Sequence, residues 1–113
     1  MRRGEIRWYV FAAPDKRRPV LLLTRDGVMD RLNEIIAVPV TRTIRGIASE
    51  VPLSPEDGMP TACALNLDHI GVVQRSRLGA VVTTLPEPRW PEVERALLAA
   101  CGFREGEARG VDP

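Results

Sequence analysis

Five consecutive residues without a polar side chain, Pro19-Val20-Leu21-Leu22-Leu23, constrain this chain more than any other stretch. The run is too short for a buried helix and too apolar for a strand with one wet face. It predicts a central strand. The same run emerges directly from Lys16-Arg17-Arg18, and charged side chains enter an interior only when paired. Arg18 must therefore sit at the mouth of the strand, at a rim where a guanidinium can meet something other than hydrocarbon.

The flanking patterns are also β-like. Glu5 to Ala12 alternates, with Ile6, Trp8 and Val10 on one face and Arg7, Tyr9 and Phe11 on a face expected to be solvated. Ala13 to Lys16 reads as a short loop. Val28 and Leu32 stand four apart, which fits a short helix or helical turn over Asp26 to Asn33. Glu34 to Thr41 predicts a second buried strand, where Pro39 calls for a bulge or an edge. Ile47 to Leu53 and Thr61 to Leu67 flank the turn Pro55-Glu56-Asp57-Gly58 as a hairpin, and Arg77 to Leu85 reads as a last strand. Pro91 suits the first turn of a helix whose Trp90, Val93, Leu97, Ala100 and Cys101 share a face, with Gly102 as its cap. Five or six short strands and one long helix make a mainly β fold, a β-barrel or sheet with short helices. Residues 104–113 are polar and aperiodic, a C-terminal tail after a single domain over 1–103.

At 113 residues and 44% hydrophobic content, the chain can bury one core without staples. No apolar run reaches a membrane span and no signal-type apolar segment follows Arg2-Arg3. The expected setting is cytoplasmic, with Cys63 and Cys101 as reduced core thiols. Charge is uneven: residues 1–45 carry ten basic and five acidic side chains, the remainder six and ten, netting +5 against −4. Fifteen of the sixteen cations are Arg. Genomic base composition and a nucleic-acid footprint both account for that choice, and the position of the charge favours the footprint.

His69 is a lone histidine, so no acid–base histidine pair, Ser/His/Asp arrangement or metal-spaced cluster can be assembled. A turn or interface role is its ordinary reading. Chemistry, if present, must use groups that do not titrate near neutrality. If the second and third strands are antiparallel neighbours, Arg18 at the start of one lies beside Thr41 at the end of the other. From spacing alone, such a pair equally describes a solvated loop arginine and a locally bonded threonine.

The segments "RRGEIRWYVF", "RRPVLLLTRD" and "IIAVPVTRT", followed by "ALNLDHIGVVQRSRLGAVVTTL", resemble the MazF/PemK family of toxin–antitoxin ribonucleases. The likeness runs from Met1 to about Phe103, and its most specific block is RPVLLLTRD. It implies an SH3-like/CcdB-type barrel with a C-terminal helix, assembled as a homodimer. It further implies a sequence-selective, metal-independent endoribonuclease that cuts single-stranded RNA through the ribose 2′-OH, leaving 2′,3′-cyclic phosphate and 5′-OH ends. The family's catalytic Arg falls on Arg18 and its strand-end Thr/Ser on Thr41. Arg17, Arg25, Arg42 and Phe11 are the expected RNA-binding residues, although core or dimer packing also suits Phe11 and Tyr9. No cofactor or metal is implied. The expected partner is an antitoxin with an acidic, disordered C-terminal segment. Asp26 and Glu34 are candidate bases without motif support. Two departures stand out: the short Ala12–Arg17 loop lacks the family's G-S-E-Q-like stretch, and Arg42 replaces a small polar residue. The alternative is a non-catalytic CcdB-like barrel that binds a protein such as DNA gyrase; a decayed toxin that only binds antitoxin is a third reading.

Overall fold

The computed structural model describes residues 1–11 and 17–103. The connection over 12–16 and the expected tail over 104–113 lie outside the described residues. Seven strands follow in chain order: β1 (Glu5–Val10), β2 (Arg17–Leu22), β3 (Glu34–Thr41), β4 (Glu50–Leu53), β5 (Cys63–Asn66), β6 (Gly71–Gln74) and β7 (Leu78–Thr84). Helix α1 (Asp26–Met29) follows β2, and α2 (Trp90–Cys101) ends the described fold. The strands run antiparallel in the order β4-β5-β3-β2-β1-β7, with β6 added to β3. Strand β6 is absent from the sequence reading, because a four-residue GVVQ segment carries too little pattern to announce itself.

The central role of β2 is confirmed, with Val20, Leu21 and Leu22 each fully buried between β1 and β3. Alternate side chains point to opposite faces. Leu21 accordingly joins Ile6, Val38, Val51, Leu65 and Val93 in one cluster. Val20 and Leu22 join Tyr9, Met29, Ile35, Ala37 and Val73 in a second. Truncating Ile6, Leu21, Leu22, Ile35 or Leu65, all fully buried, to Ala would cost about 2–5 kcal/mol.

This second cluster overturns the solvated face expected for β1. Tyr9 is buried, its hydroxyl accepts the Gln74 N–H at 3.1 Å, and Phe11 packs edge-on to it at 5.0 Å. Val10, expected inside, is exposed. The pattern reads as amphipathic because Arg7 sits among the apolar residues. Arg7 instead lies along the surface, donating to Glu5 and to the Gly79 carbonyl, where the β1–β7 register slips on both sides of it.

Pro39 occupies neither a simple bulge nor an outer edge. On one side of β3, pairing with β6 stops at Ala37 and pairing with β5 begins at Val40. Pro39 falls in that changeover, where a missing N–H removes no ladder bond on the interrupted side. The helical turn after β2 is shorter than expected, and Met29 rather than Leu32 is its buried residue.

Helix α2 matches the expected span and ends at Gly102, where φ is +81° and the Phe103 N–H returns to the Leu98 carbonyl at 2.8 Å. Val93 and Ala96 are its buried residues, with Leu97 and Ala100 packed beside them. Cys101 is exposed, against expectation. At 100° per residue it lies about 80° around the helix from Val93, off the shoulder of the apolar stripe. Cys63 is buried as expected, and burial together with the Asp57 carboxylate pushes its thiol upward. No helix among the described residues is long and apolar enough to cross a membrane.

Candidate active site

The β2–β3 register places the two residues singled out by position. Val20 pairs with Pro39 and Leu21 with Val38; the paired ladder ends there, and the antiparallel sense of the two strands carries Arg18 and Thr41 to the same end of the pair. Both line a hollow of about 480 Å³, together with Trp8, Arg17, Arg42 and the Met59–Thr61 segment of the β4–β5 hairpin. Three arginines and no carboxylate face this space among the described residues.

The Arg17 guanidinium lies 4.1 Å above the Trp8 ring, a cation–π contact that holds its charge along the wall. Thr41 Oγ1 accepts the Thr43 N–H at 3.1 Å. Its own O–H is thereby left to donate into the hollow. None of Arg17, Arg18 and Arg42 forms an ion pair among the described residues. Unpaired guanidiniums at a concave surface attract an anion, and their planar forks suit phosphate oxygens.

The loop carrying Arg42 is held from below. Glu50 is buried, and its Oε1 accepts the N–H groups of Arg45 and Gly46 at 2.9 and 3.1 Å. The opposite wall is clamped by Arg89, which reaches Asp57 at 2.8 Å, Glu92 at 2.7 Å and the Pro52 carbonyl at 2.6 Å. The Glu92 hydrogen bond, followed by the Asp57 bond and the charge of both carboxylates, raises the Arg89 guanidinium further above its ordinary value, against the opposing effect of burial. The Arg89 hydrogen bond outweighs burial and holds the Glu92 carboxyl below its own.

A second hollow of about 260 Å³ adjoins the first and shares Arg18; its other walls are Phe11, Pro39 and His69. Phe11 thus stands near the arginines, but its half-buried ring also serves the second core cluster. Arg25 is not part of this assembly: it precedes α1, beyond the far end of β2. Asp26 also lies at that far end, where its carboxylate accepts the Arg3 N–H at 2.7 Å. Glu34 pairs with Gln74 at the start of β3, about 23 Å along the strand from Thr41 at 3.3 Å per residue. Sequence reading missed the proximity of His69, Trp8 and Met59–Thr61 to Arg18. His69 arrives through pairing of Val40 with Leu65, a contact between distant segments that local pattern does not encode.

This geometry has counterparts. Residues 2–101 match the family described as PemK-like, MazF-like toxin of type II toxin-antitoxin system. "Probable endoribonuclease MazF2" of Mycobacterium tuberculosis is 41% identical over 103 residues, covering 90% of this chain and 99% of that protein. "Endoribonuclease MazF3" of the same organism is 32% identical over 83 residues, 74% of this chain and 81% of the relative. Among solved structures, "Mycobacterium tuberculosis toxin MazF-mt6" superposes with a TM-score of 0.79 at 30% identity, covering 86% of this chain and 95% of its own. A MazE–MazF structure from Deinococcus radiodurans gives 0.74 at 27% identity, covering 91% and 96%. The chain belongs to the PemK/MazF family of type II toxin–antitoxin toxins, and within it to the MazF endoribonucleases. That membership decides between the two readings of the barrel, in favour of the ribonuclease over the gyrase-binding protein.

Proposed function

We propose that the protein cleaves single-stranded RNA without a metal ion in the hollow between Arg18 and Thr41. The ribose 2′-oxygen attacks the adjacent phosphorus as its proton departs. The P–O5′ bond breaks, and the leaving 5′-oxygen takes up a proton. The products carry a 2′,3′-cyclic phosphate and a 5′-OH. Arg18 faces the extra negative charge of the pentacoordinate phosphorus, a preorganised contribution of about 3 kcal/mol for one good donor. A guanidinium is too weak an acid to give up its proton readily, so its role is electrostatic rather than proton-donating. The free O–H of Thr41 orients the phosphate or the 2′-OH, while Arg17 and Arg42 track flanking phosphates.

The observation that carries this reading is that Arg18 and Thr41, from adjoining ends of antiparallel β2 and β3, line one hollow that no carboxylate among the described residues enters. Cutting of a single-stranded RNA in EDTA, with 5′-OH products and resistance of a substrate 2′-deoxy at the scissile position, is the expected result. Loss of cleavage in EDTA, or cutting of the deoxy substrate, would overturn it.

One shallow hollow gives RNA a single wall. A two-fold homodimer supplies the second by placing two basic N-terminal halves around one groove. Ile36 and Val72, cross-strand neighbours on β3 and β6, are 44% and 62% exposed and support such a contact. The groove also suits an acidic antitoxin segment that orders on binding and competes with RNA for the same arginines. A monomer by light scattering at micromolar concentration would remove the dimer.

A further inference from the structure

His69 closes the three-residue 3₁₀ turn Leu67–His69 that follows β5, and the turn is pinned on several sides. The Ser49 hydroxyl donates to Asp68 Oδ2 at 2.7 Å, and the Leu67 N–H to the Ser49 carbonyl at 3.0 Å. Asn66, 6% exposed, accepts the Asp68 N–H on its Oδ1 at 3.1 Å. A backbone N–H can only donate, so this bond fixes which end of the Asn66 amide is oxygen. Its Nδ2 then faces His69 Nδ1 at 3.3 Å as the donor. The ring nitrogen in that contact must accept, so neutral His69 carries its proton on Nε2.

The ring so oriented lines the 260 Å³ hollow with Phe11, Pro39 and Arg18. Three largely apolar or planar surfaces and one guanidinium suit a flat heteroaromatic ring beside a phosphate. We infer that this hollow is a nucleobase subsite flanking the scissile phosphate, in which the His69 Nε2–H reads an acceptor atom on the base edge. The inference rests on the proposed RNA cleavage at Arg18. Phe11 and Pro39 take the face of the base, Arg18 its phosphate, and His69 chooses among bases. His69 is therefore a specificity residue and takes no part in the chemical step.

The test has two arms. Cleavage products of a randomised single-stranded RNA are sequenced for wild type, His69→Gln, His69→Ala and Asn66→Asp. His69→Ala should flatten the preference at one position next to the cut. It should also lower kcat/KM on the preferred sequence by about tenfold to a hundredfold, mainly through KM. Asn66→Asp still accepts the Asp68 N–H but also accepts from His69 Nδ1, turning Nε2 into an acceptor. The preference should then move toward bases that present a donor, an outcome that mere support of the turn would not produce. Because the chain holds a single histidine, 15N spectra of the ring report its tautomer without ambiguity, and the Nε2–H form is expected in wild type.

An unchanged preference in His69→Ala, or a dominant Nδ1–H tautomer, overturns the inference. If wild type cuts no RNA, the ribonuclease reading falls first. Affinity for single-stranded RNA then judges the subsite alone, and equal binding by wild type and His69→Ala overturns it.

Discussion

Replacing Arg18 with Ala isolates the chemistry from the fold. Arg18 is exposed at the second position of β2 and forms no ion pair among the described residues. Its removal should change stability by no more than about 0.5 kcal/mol, as for surface positions generally. If its guanidinium meets charge that develops only in the transition state, kcat should fall by about 100- to 1,000-fold, or roughly 2.7–4 kcal/mol. Arg17 provides the internal comparison. It lies next in sequence, lines the same hollow and carries the same charge, but rests on the Trp8 ring at 4.1 Å. Arg17→Ala should weaken binding and reduce the slope of log K against log salt by about 0.7 for one lost phosphate contact on a single strand. Its effect on turnover should be small. Single-turnover cleavage of a labelled RNA across a salt series, with thermal melts of each variant, separates the two. Arg18→Lys should recover only part of the rate, since an ammonium supplies charge without the planar fork. Equal losses of kcat in the Arg17 and Arg18 variants, or a normal kcat in Arg18→Ala, would refute the division of roles.

Thr41→Ala should slow cleavage less than Arg18→Ala under the same single-turnover conditions, because it removes an orienting hydroxyl; a larger loss would assign Thr41 the dominant role. Gly58→Ala should destabilise by about 2 kcal/mol or more in denaturant melts, since φ there is +94° and a Cβ would stand 2.8 Å from the Thr83 Cβ; an unchanged midpoint would contradict this. Arg89→Ala should lower the melting temperature and loosen the hairpin wall, read as faster amide exchange at Met59 to Cys63, because it breaks bonds to Asp57, Glu92 and Pro52 at once. The pH dependence has a fixed sign. The depressed carboxyl of Glu92 stabilises the fold above its ordinary value of 4.5, and this contribution disappears as pH falls through the lower folded value. The Arg89→Ala variant should lack that part of the acid loss, and melts from pH 6 to pH 3 measure it.

Legibility followed the range of the interaction that decides each feature. The buried run of β2 is a local fact about five side chains, and its position between β1 and β3 agrees with it. Helix α2 is equally local, with a period, a proline in its first turn and a glycine at its end. The second cluster is not local. Tyr9 is covered because Val73 and Met29 arrive from elsewhere in the chain, and nothing between Glu5 and Ala12 reports them. The same distinction divides the site. Arg18 and Thr41 were legible because one antiparallel pairing of neighbouring strands brings them together, whereas His69 and the Met59–Thr61 wall require the separate pairing of β3 with β5. Arg25 shows the reverse: near Arg18 in sequence, it is carried by β2 beyond the opposite end of that strand.

The two arginines ahead of the apolar run thus follow from the way β2 is covered. A strand buried on both faces can place a charge only at its ends, and the Arg18 end opens beside the end of β3. Neighbouring carboxylates would neutralise these guanidiniums and stabilise the rim, yet the described acids lie elsewhere: Asp26 and Glu34 at the far ends of the strands, Asp57 and Glu92 around Arg89. Among the described residues the rim therefore carries positive charge with no paired carboxylate, an arrangement that favours compactness less than it favours an anionic ligand. A second, smaller step sharpens it. Phe11, just past β1, and Pro39 of β3 converge beside Arg18, so a ligand that offers phosphate alone leaves half the cleft unused. A polymer with alternating phosphates and flat bases would fill both halves, which is the physical ground for the RNA site proposed at Arg18.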